Sequence, residues 1–268
     1  MTTEFASSKA NTFLHRSAAV WLGAALLGQW LFAYYIIQVY AVALAVGEPA
    51  LINRKPAITG YVLGDLIGNG TLFAHVLPAI WLSVAGVLQL IPWLRRRFPA
   101  IHRWNGRGFL VLALVGACTG LYLTWVRGSR LSDFGAMGIT LNGILILPAV
   151  FCAWRYARLK QWSVHQRWAI RTFILVSGVW TFRLGLMGWY VLNQGPRGNT
   201  ENLDGPFDLA WSFGCYALPL ALAELYFWAR DQRKPRAKWL VAACLCGATL
   251  LMTFGIAAAF QLMWRPYL

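Results

Sequence analysis

Two short segments of the chain each combine histidine, arginine and tryptophan within seven residues. The first reads IHRWNGR over residues 101–107, and the second reads HQRWAIR over residues 165–171. Imidazole nitrogens can ligate a haem iron or exchange a proton, and guanidinium groups donate hydrogen bonds to carboxylates and phosphates. Because each segment lies just before a long apolar run, the pair predicts a site near one surface of a membrane.

Composition indicates the class of protein that must position these residues. Of 268 residues, 59% are hydrophobic and only 12% are charged, which is not typical of a water-soluble domain. A helix needs roughly 20 mostly apolar residues to cross a bilayer. We therefore expect an all-α polytopic membrane protein, a bundle of seven transmembrane helices that forms a single domain over residues 1–268. The predicted spans are 18–46, 72–93, 108–126, 135–154, 169–192, 207–228 and 239–264.

The net charge of +15 is divided unevenly between alternate connections. Of the 24 Lys and Arg residues, 16 lie near the N-terminus or in the connections 94–107, 155–168 and 229–238. Six lie on the other side, and Arg171 and Arg183 fall within spans. The positive-inside rule predicts a cytoplasmic N-terminus and an external C-terminus. Because the cations flank membrane spans, nucleic acid is not the expected partner, and we expect a multi-pass protein in the cytoplasmic membrane of a bacterium.

The first candidate site lies on the predicted cytoplasmic side. His102 and His165 each precede a span, so they lie at similar depth and can meet if the third and fifth spans are neighbours. Together they could ligate one haem b, and a quinone is the other candidate cofactor. Arginine and tryptophan at this depth also suit anionic lipid head groups, so both interpretations stay open. The candidate partners for the haem propionates are Arg103, Arg107, Arg167 and Arg171.

Polar side chains within the spans form a second candidate site, toward the predicted outer side. Arg183 lies about 18 Å along the helix from Arg171. A charge at mid-span costs on the order of 3 kcal/mol unless it is paired or faces a cavity. Asp208 is its candidate partner, and His75 and Gln89, on roughly one face of the second span, complete the site. Such a site would take a quinone carbonyl or an anionic small molecule.

Charge balance and depth limit how these residues combine. Glu224 is placed to neutralise Arg171 or Arg107, and pairs of this kind also occur as structural ties between helices. His75 lies about 27 Å from the inner end of its span, so it cannot share one haem with His102.

No metal site is expected, because the five cysteines fall within spans and form no C-x-x-C pair.

The spacing of these motifs resembles a prokaryotic family of predicted membrane proteins, domain of unknown function 2306. The similar segments read FAHVLPAIWLSVAGVLQLIPWLRRRFPAIHRWNGRGF and HQRWAIRTFILVSGVWTFRLGL, and the resemblance covers residues 73–188. Spans one, six and seven lie outside it. The resemblance supports the choice of residues but implies no activity. The matching positions are His75, Gly86, Gln89, His102, Arg103, Gly106, Arg107, His165, Trp168, Arg171 and Arg183.

The sequence does not reveal a reaction, and three classes of function fit it. The first is a membrane redox protein that binds haem or a quinone through the His and Arg positions. The second is a carrier or binding protein for anionic small molecules or lipids, which would use the same cations. The third is a non-catalytic accessory or assembly subunit of a respiratory complex.

Overall fold

The computed structural model describes residues 2–54 and 59–268, and the described chain is helical with short connections. No strand occurs among these residues, so the all-α prediction is confirmed. Two five-residue π-helical segments interrupt the α-helices, at Ile37–Ala41 and Phe260–Trp264. The α-helices are α1 (Thr2–Ile36), α2 (Val42–Ala45), α3 (Leu66–Val76), α4 (Pro78–Leu88), α5 (Pro92–Arg97), α6 (Pro99–Trp125), α7 (Asp133–Arg158), α8 (Trp162–Val176), α9 (Gly178–Leu192), α10 (Pro206–Asp231) and α11 (Pro235–Ala259), and 3₁₀ turns cover Pro49–Arg54 and Arg265–Tyr267.

The described residues contain six helices long and apolar enough to cross a membrane, and a seventh candidate span if the bent pair α8 and α9 counts as one. The fifth is a broken span in which α8 and α9 meet at an angle of 51°. In chain order the spans are Ser8–Ala45, Leu66–Leu88, Pro99–Trp125, Asp133–Arg158, α8 with α9, Pro206–Asp231 and Pro235–Tyr267.

Several helices begin earlier than the apolar pattern predicts. The third span starts at Pro99 rather than at residue 108, because proline at the first helical position is preorganised for a helix. The fifth starts at Trp162 rather than at residue 169. The second starts at Leu66 rather than at residue 72, with the Asp65 carboxylate accepting from the Gly68 N–H at 2.8 Å. Both His/Arg clusters are therefore helical, although residues 101–107 and 165–168 fall in the predicted connections 94–107 and 155–168.

The fifth span lies in the middle of the bundle. The other six spans form a ring around it, in the order first, seventh, sixth, fourth, third and second, and the second packs back against the first. Helix α8 contacts the fourth and sixth spans, and α9 contacts the sixth and seventh. No residue from 164 to 190 is exposed. Any polar side chain on this span must therefore find its partners inside the protein.

The break in the fifth span is held by side chains from two other spans. It falls at Ser177 and Gly178, and a Ser–Gly pair is a common cause of a sharp kink. Asn142 donates from Nδ2 to the Leu175 carbonyl at 3.0 Å, and Gln29 donates to the Ser177 hydroxyl at 3.2 Å. These bonds satisfy polar groups at the break, which no water could reach from within a bilayer.

Candidate functional site

Arg183 lies on the central span, six residues beyond the break. Its Nη1 donates to the Val179 carbonyl of its own helix at 3.0 Å, and its guanidinium carbon lies 5.6 Å from the centre of the Phe32 ring. None of the ion pairs in the described part of the chain includes Arg183. A guanidinium has five N–H donors, so most of its hydrogen-bonding capacity is not used by carboxylates.

Asp208 is not the partner of Arg183, and that prediction is wrong. The Asp208 side chain is almost fully buried at the start of the sixth span. It accepts bonds from Nδ2 of Asn199 at 2.6 Å, from the Thr200 N–H at 3.0 Å and from the Gly205 N–H at 3.2 Å. A carboxylate at a helix N-terminus is stabilised by free backbone N–H groups and by the helix dipole, which explains why Asp208 is engaged locally.

Two tyrosines of the first span face Arg183. The hydroxyls of Tyr35 and Tyr40 lie close enough to interact with each other, and both lie within electrostatic reach of the guanidinium. Tyr35 is buried, with only 2% of its surface exposed. His75 also lies within electrostatic reach of the Arg183 guanidinium. We call Phe32, Tyr35, Tyr40, His75 and Arg183 the Arg183 cluster.

His75 presents a defined ring orientation to this cluster. Its Nδ1 lies 3.0 Å from the Gly116 carbonyl and 3.1 Å from the Thr119 hydroxyl. Because a carbonyl can only accept, Nδ1 must carry the proton, and Nε2 of the neutral ring is then an acceptor. Gly120 lies against the ring, where a Cβ would approach the imidazole to 3.0 Å. The missing Cβ at Gly120 therefore leaves the space that the His75 ring fills.

Two π-helical segments border the Arg183 cluster. One, Ile37–Ala41, lies in the first span and contains Tyr40, and the other, Phe260–Trp264, lies in the seventh. Trp264 is fully buried, with its ring centre 5.4 Å from that of Phe32 and 6.2 Å from that of Tyr35. Segments of this kind are rare and occur often at functional sites, because the wider turn redirects side chains. Here they redirect aromatic rings at one end of the bundle.

Gln89 does not join His75, although both lie on the second span. The 14 residues between them correspond to about 21 Å of helix. Gln89 caps α4 and lies against Gly106, where a Cβ would meet its Oε1 at 3.3 Å. Its Nε2 is buried without a hydrogen-bond partner among the described residues, and so is Oδ1 of the nearby Asn105. Gln89 therefore belongs with the His102 region, and its assignment to the outer-side site is wrong.

His102 and His165 lie on the same side of the bundle and within electrostatic reach of each other. His165 places Nδ1 2.9 Å from the Ala153 carbonyl, which fixes the ring and leaves Nε2 as its other nitrogen. The Trp162 ring packs edge-on against it at 6.5 Å. His75 is remote from this pair, because its contact with Gly116 lies about 21 Å along the third span from His102.

The arginines around this pair have partners or face outward. Arg171 forms a two-pronged ion pair with Glu224, with N–O distances of 2.7 and 2.9 Å, and stacks over Trp168 at 4.7 Å. Arg167 pairs with Asp231. Arg103 and Arg107 are exposed, and Arg107 stacks on the Trp104 ring. Of the two partners predicted for Glu224, the structure therefore selects Arg171.

Comparison with known proteins assigns the chain to a family. The model of the predicted membrane protein family, domain of unknown function 2306, matches residues 72–226, more than half of the chain. The chain belongs to this family. The match extends past residue 188 and takes in most of the sixth span, which the resemblance in the sequence alone did not reach. No curated protein and no solved structure matches the chain.

The segment shared with the domain of unknown function 2306 family contributes only part of the Arg183 cluster. His75 and Arg183 lie within residues 72–226, whereas Phe32, Tyr35 and Tyr40 lie on the first span, outside the match. The cluster is thus completed by a helix that the family model does not describe. The ion pair of Arg171 with Glu224, in contrast, lies entirely within the matched segment.

Little in the sequence indicated the aromatic members of the cluster. Tyrosine and tryptophan are common at membrane interfaces, so aromatic residues near the ends of spans are ordinarily anchors. Tyr35 and Tyr40 lie five residues apart, a spacing that places side chains on one face only where the helix widens. The tyrosines within the apolar run FAYYIIQVY were the available signal, because a hydroxyl inside a span needs a partner.

Proposed function

We propose that the Arg183 cluster binds the ring head of a quinone inside the bundle. The observation that carries the proposal is the guanidinium of Arg183, which lies on the central span beside an aromatic ring and takes part in no ion pair of the described residues. A cation at this depth is costly unless something accepts its hydrogens. The oxygen of a bound ligand would meet that need.

The side chains around Arg183 complement both oxidation states of a quinone. Arg183 and one hydroxyl of the tyrosine pair can donate to a quinone carbonyl, and Nε2 of His75 can accept from a quinol hydroxyl. Phe32 and its neighbours provide an aromatic surface against which a ring can pack. A small carboxylate would use the same donors but would leave His75 without a role. The quinone therefore accounts for more of the cluster than an anion does.

Titration with a short-chain benzoquinone tests this proposal. Tryptophan fluorescence of the purified protein in detergent reports binding, because the cluster adjoins Trp264. We expect saturable quenching that weakens at least tenfold in Arg183→Gln, since a hydrogen bond from a charged group contributes about 1.5–3 kcal/mol. Arg183→Lys keeps the charge, so its affinity for the benzoquinone should lie between those of wild type and Arg183→Gln. Identical, unsaturable quenching of wild type and Arg183→Gln would contradict the proposal.

A haem held by His102 and His165 is the second candidate. The bond of His165 Nδ1 to a backbone carbonyl supports it, since axial histidines are commonly oriented this way. Arg171 is engaged by Glu224, so Arg103 and Arg107 would have to serve the propionates. An absorption spectrum of the protein purified from haem-replete cells gives the test. A Soret band that is lost in both His102→Ala and His165→Ala is expected if the haem binds.

The basic side of the bundle is proposed to face the cytoplasm. It comprises the N-terminus and the connections after the second, fourth and sixth spans, where most cations lie. The Arg183 cluster would then lie toward the external side of the cytoplasmic membrane. Reporter fusions test this orientation: a fusion at the C-terminus should be active only outside the cytoplasm, and cytoplasmic activity there would reverse the assignment.

A further inference from the structure

An apolar groove runs along the bundle surface between the first and seventh spans. Its volume is about 350 Å³. Ala24, Leu27 and Leu31 form one wall, and Ala257 and Phe260 belong to the other. Its small alanines leave space where larger residues would close the gap between the helices. The groove therefore results from the small side chains where the first and seventh spans meet.

Residues at one end of the groove are neighbours in sequence of residues that form or border the Arg183 cluster. Leu31 immediately precedes Phe32, whose ring lies 5.6 Å from the Arg183 guanidinium. On the opposite wall, Phe260 begins the π-helical segment that ends at Trp264, and Trp264 packs on Phe32 at 5.4 Å. The same two helices thus carry the groove and the aromatic border of the cluster. From Ala24 to Leu31 the groove follows the first span for about 10 Å, away from the cluster.

We propose that this groove holds the hydrocarbon tail of the molecule whose head binds at Arg183. The inference rests on the proposed quinone function and adds to it that the ligand is a long-chain, lipid-soluble quinone. Within a bilayer there is no hydrophobic gain in leaving one apolar surface for another, so the tail is held by packing and by its link to the head. An ordinary lipid chain would pack in the same groove but would not be fixed by the cluster.

Photocrosslinking distinguishes a ligand tail from bulk lipid. The probe is a benzoquinone that carries a ten-carbon chain ending in a diazirine, added to the protein in nanodiscs. We expect labelling concentrated on peptides of the first and seventh spans, and abolished by excess tail-less benzoquinone. A matched chain without the quinone should label all lipid-facing spans. Labelling of the first and seventh spans by the quinone probe that is no stronger than labelling by the headless chain, or that the tail-less competitor leaves undiminished, would overturn the proposal in favour of lipid.

Filling the groove provides an independent measurement. Ala257→Phe places a ring in the groove, and Ala243→Phe places the same ring on an exposed part of the same helix outside it. We expect Ala257→Phe to weaken binding of the decyl quinone about tenfold, which is a loss of about 1.4 kcal/mol, and to leave the tail-less quinone unaffected. Ala243→Phe should change neither. Equal affinity of both variants for the decyl quinone would contradict the proposal that the groove holds the tail.

The two proposals fail in different ways. If Arg183→Gln binds the tail-less quinone as well as wild type does, the head site is wrong, and the tail proposal falls with it. If Arg183→Gln weakens that binding but Ala257→Phe leaves the decyl quinone unchanged, the head site stands and only the groove assignment is wrong.

Discussion

Arg171 and Arg183 lie on the two halves of one broken span, and their surroundings are opposite. Arg171, on α8, has both prongs of its guanidinium bonded to Glu224 and stacks on Trp168. Arg183, on α9, bonds to one backbone carbonyl of its own helix and faces Phe32 and two tyrosines. Arg171 is a cation whose carboxylate partner belongs to the protein itself. Arg183 is a cation that lies near tyrosine hydroxyls and an aromatic ring.

The difference separates a structural role from a binding role. A paired arginine near a membrane surface ties helices together, and losing it costs stability. A central arginine without a carboxylate retains unused donors in a region from which water is excluded, and those donors are available to a ligand. We therefore expect changes at Arg171 to act on folding and changes at Arg183 to act on binding.

The largest expected effect comes from exchanging each arginine for leucine. Arg183→Leu removes the charged donors and should weaken quinone binding about a hundredfold, equivalent to about 2.7 kcal/mol. Arg171→Leu should change that binding less than twofold, because the cluster does not include it. Fluorescence titration of both variants measures the contrast. Similar losses in the two variants would show that binding follows general stability rather than the Arg183 cluster.

The break between the two halves should be sensitive to added volume. A Cβ at Gly178 would collide with the Asn142 amide, which bonds to the Leu175 carbonyl. We expect Gly178→Ala to lower the free energy of unfolding by about 1–3 kcal/mol, as overpacking does. Gly247→Ala is the control, because nothing lies within 4 Å of a Cβ there. Thermal unfolding in detergent should show a lower midpoint for the first variant and not for the second.

His75 should contribute less to binding than Arg183 does. His75→Leu removes the acceptor Nε2 and the bond to the Gly116 carbonyl, so binding of the reduced quinone should weaken about tenfold. The oxidised form has no hydroxyl to donate, so its affinity should fall less. His15→Leu, which alters a contact with Tyr226 far from the cluster, should leave both affinities unchanged. A larger loss for the oxidised form would show that the assigned tautomer is wrong.

The smallest effect is expected at the ion pair of α8. Arg171→Leu leaves Glu224 without its partner, and because the pair is partly exposed we expect a loss of about 1 kcal/mol in unfolding free energy. The double variant Arg171→Leu/Glu224→Leu should recover part of this loss, since no charge is then left unpaired. Thermal unfolding of wild type, the two single variants and the double variant gives the double-mutant cycle. Strictly additive losses would mean that the pair contributes nothing.

The sequence determined the class of the protein, the approximate positions of its apolar helices, and the presence of Arg183 inside one of them. These properties depend on local composition, because a bilayer admits only long apolar helices and makes a mid-span charge costly wherever it occurs. Depth along a helix could also be read from residue number. His75 and Gln89 show the limit of that argument, since a shared helical face did not place two residues 14 positions apart in one site.

Only the tertiary structure decided which side chains meet. The Asp208 carboxylate is used by the N-terminus of its own helix and by Asn199, so it does not pair with Arg183. Tyr35 and Tyr40 reach Arg183 because the first span packs beside the central one and widens into a π-helix between them. Rotation about each helix axis and the choice of neighbouring span depend on packing across the whole bundle, which no local pattern of residues encodes.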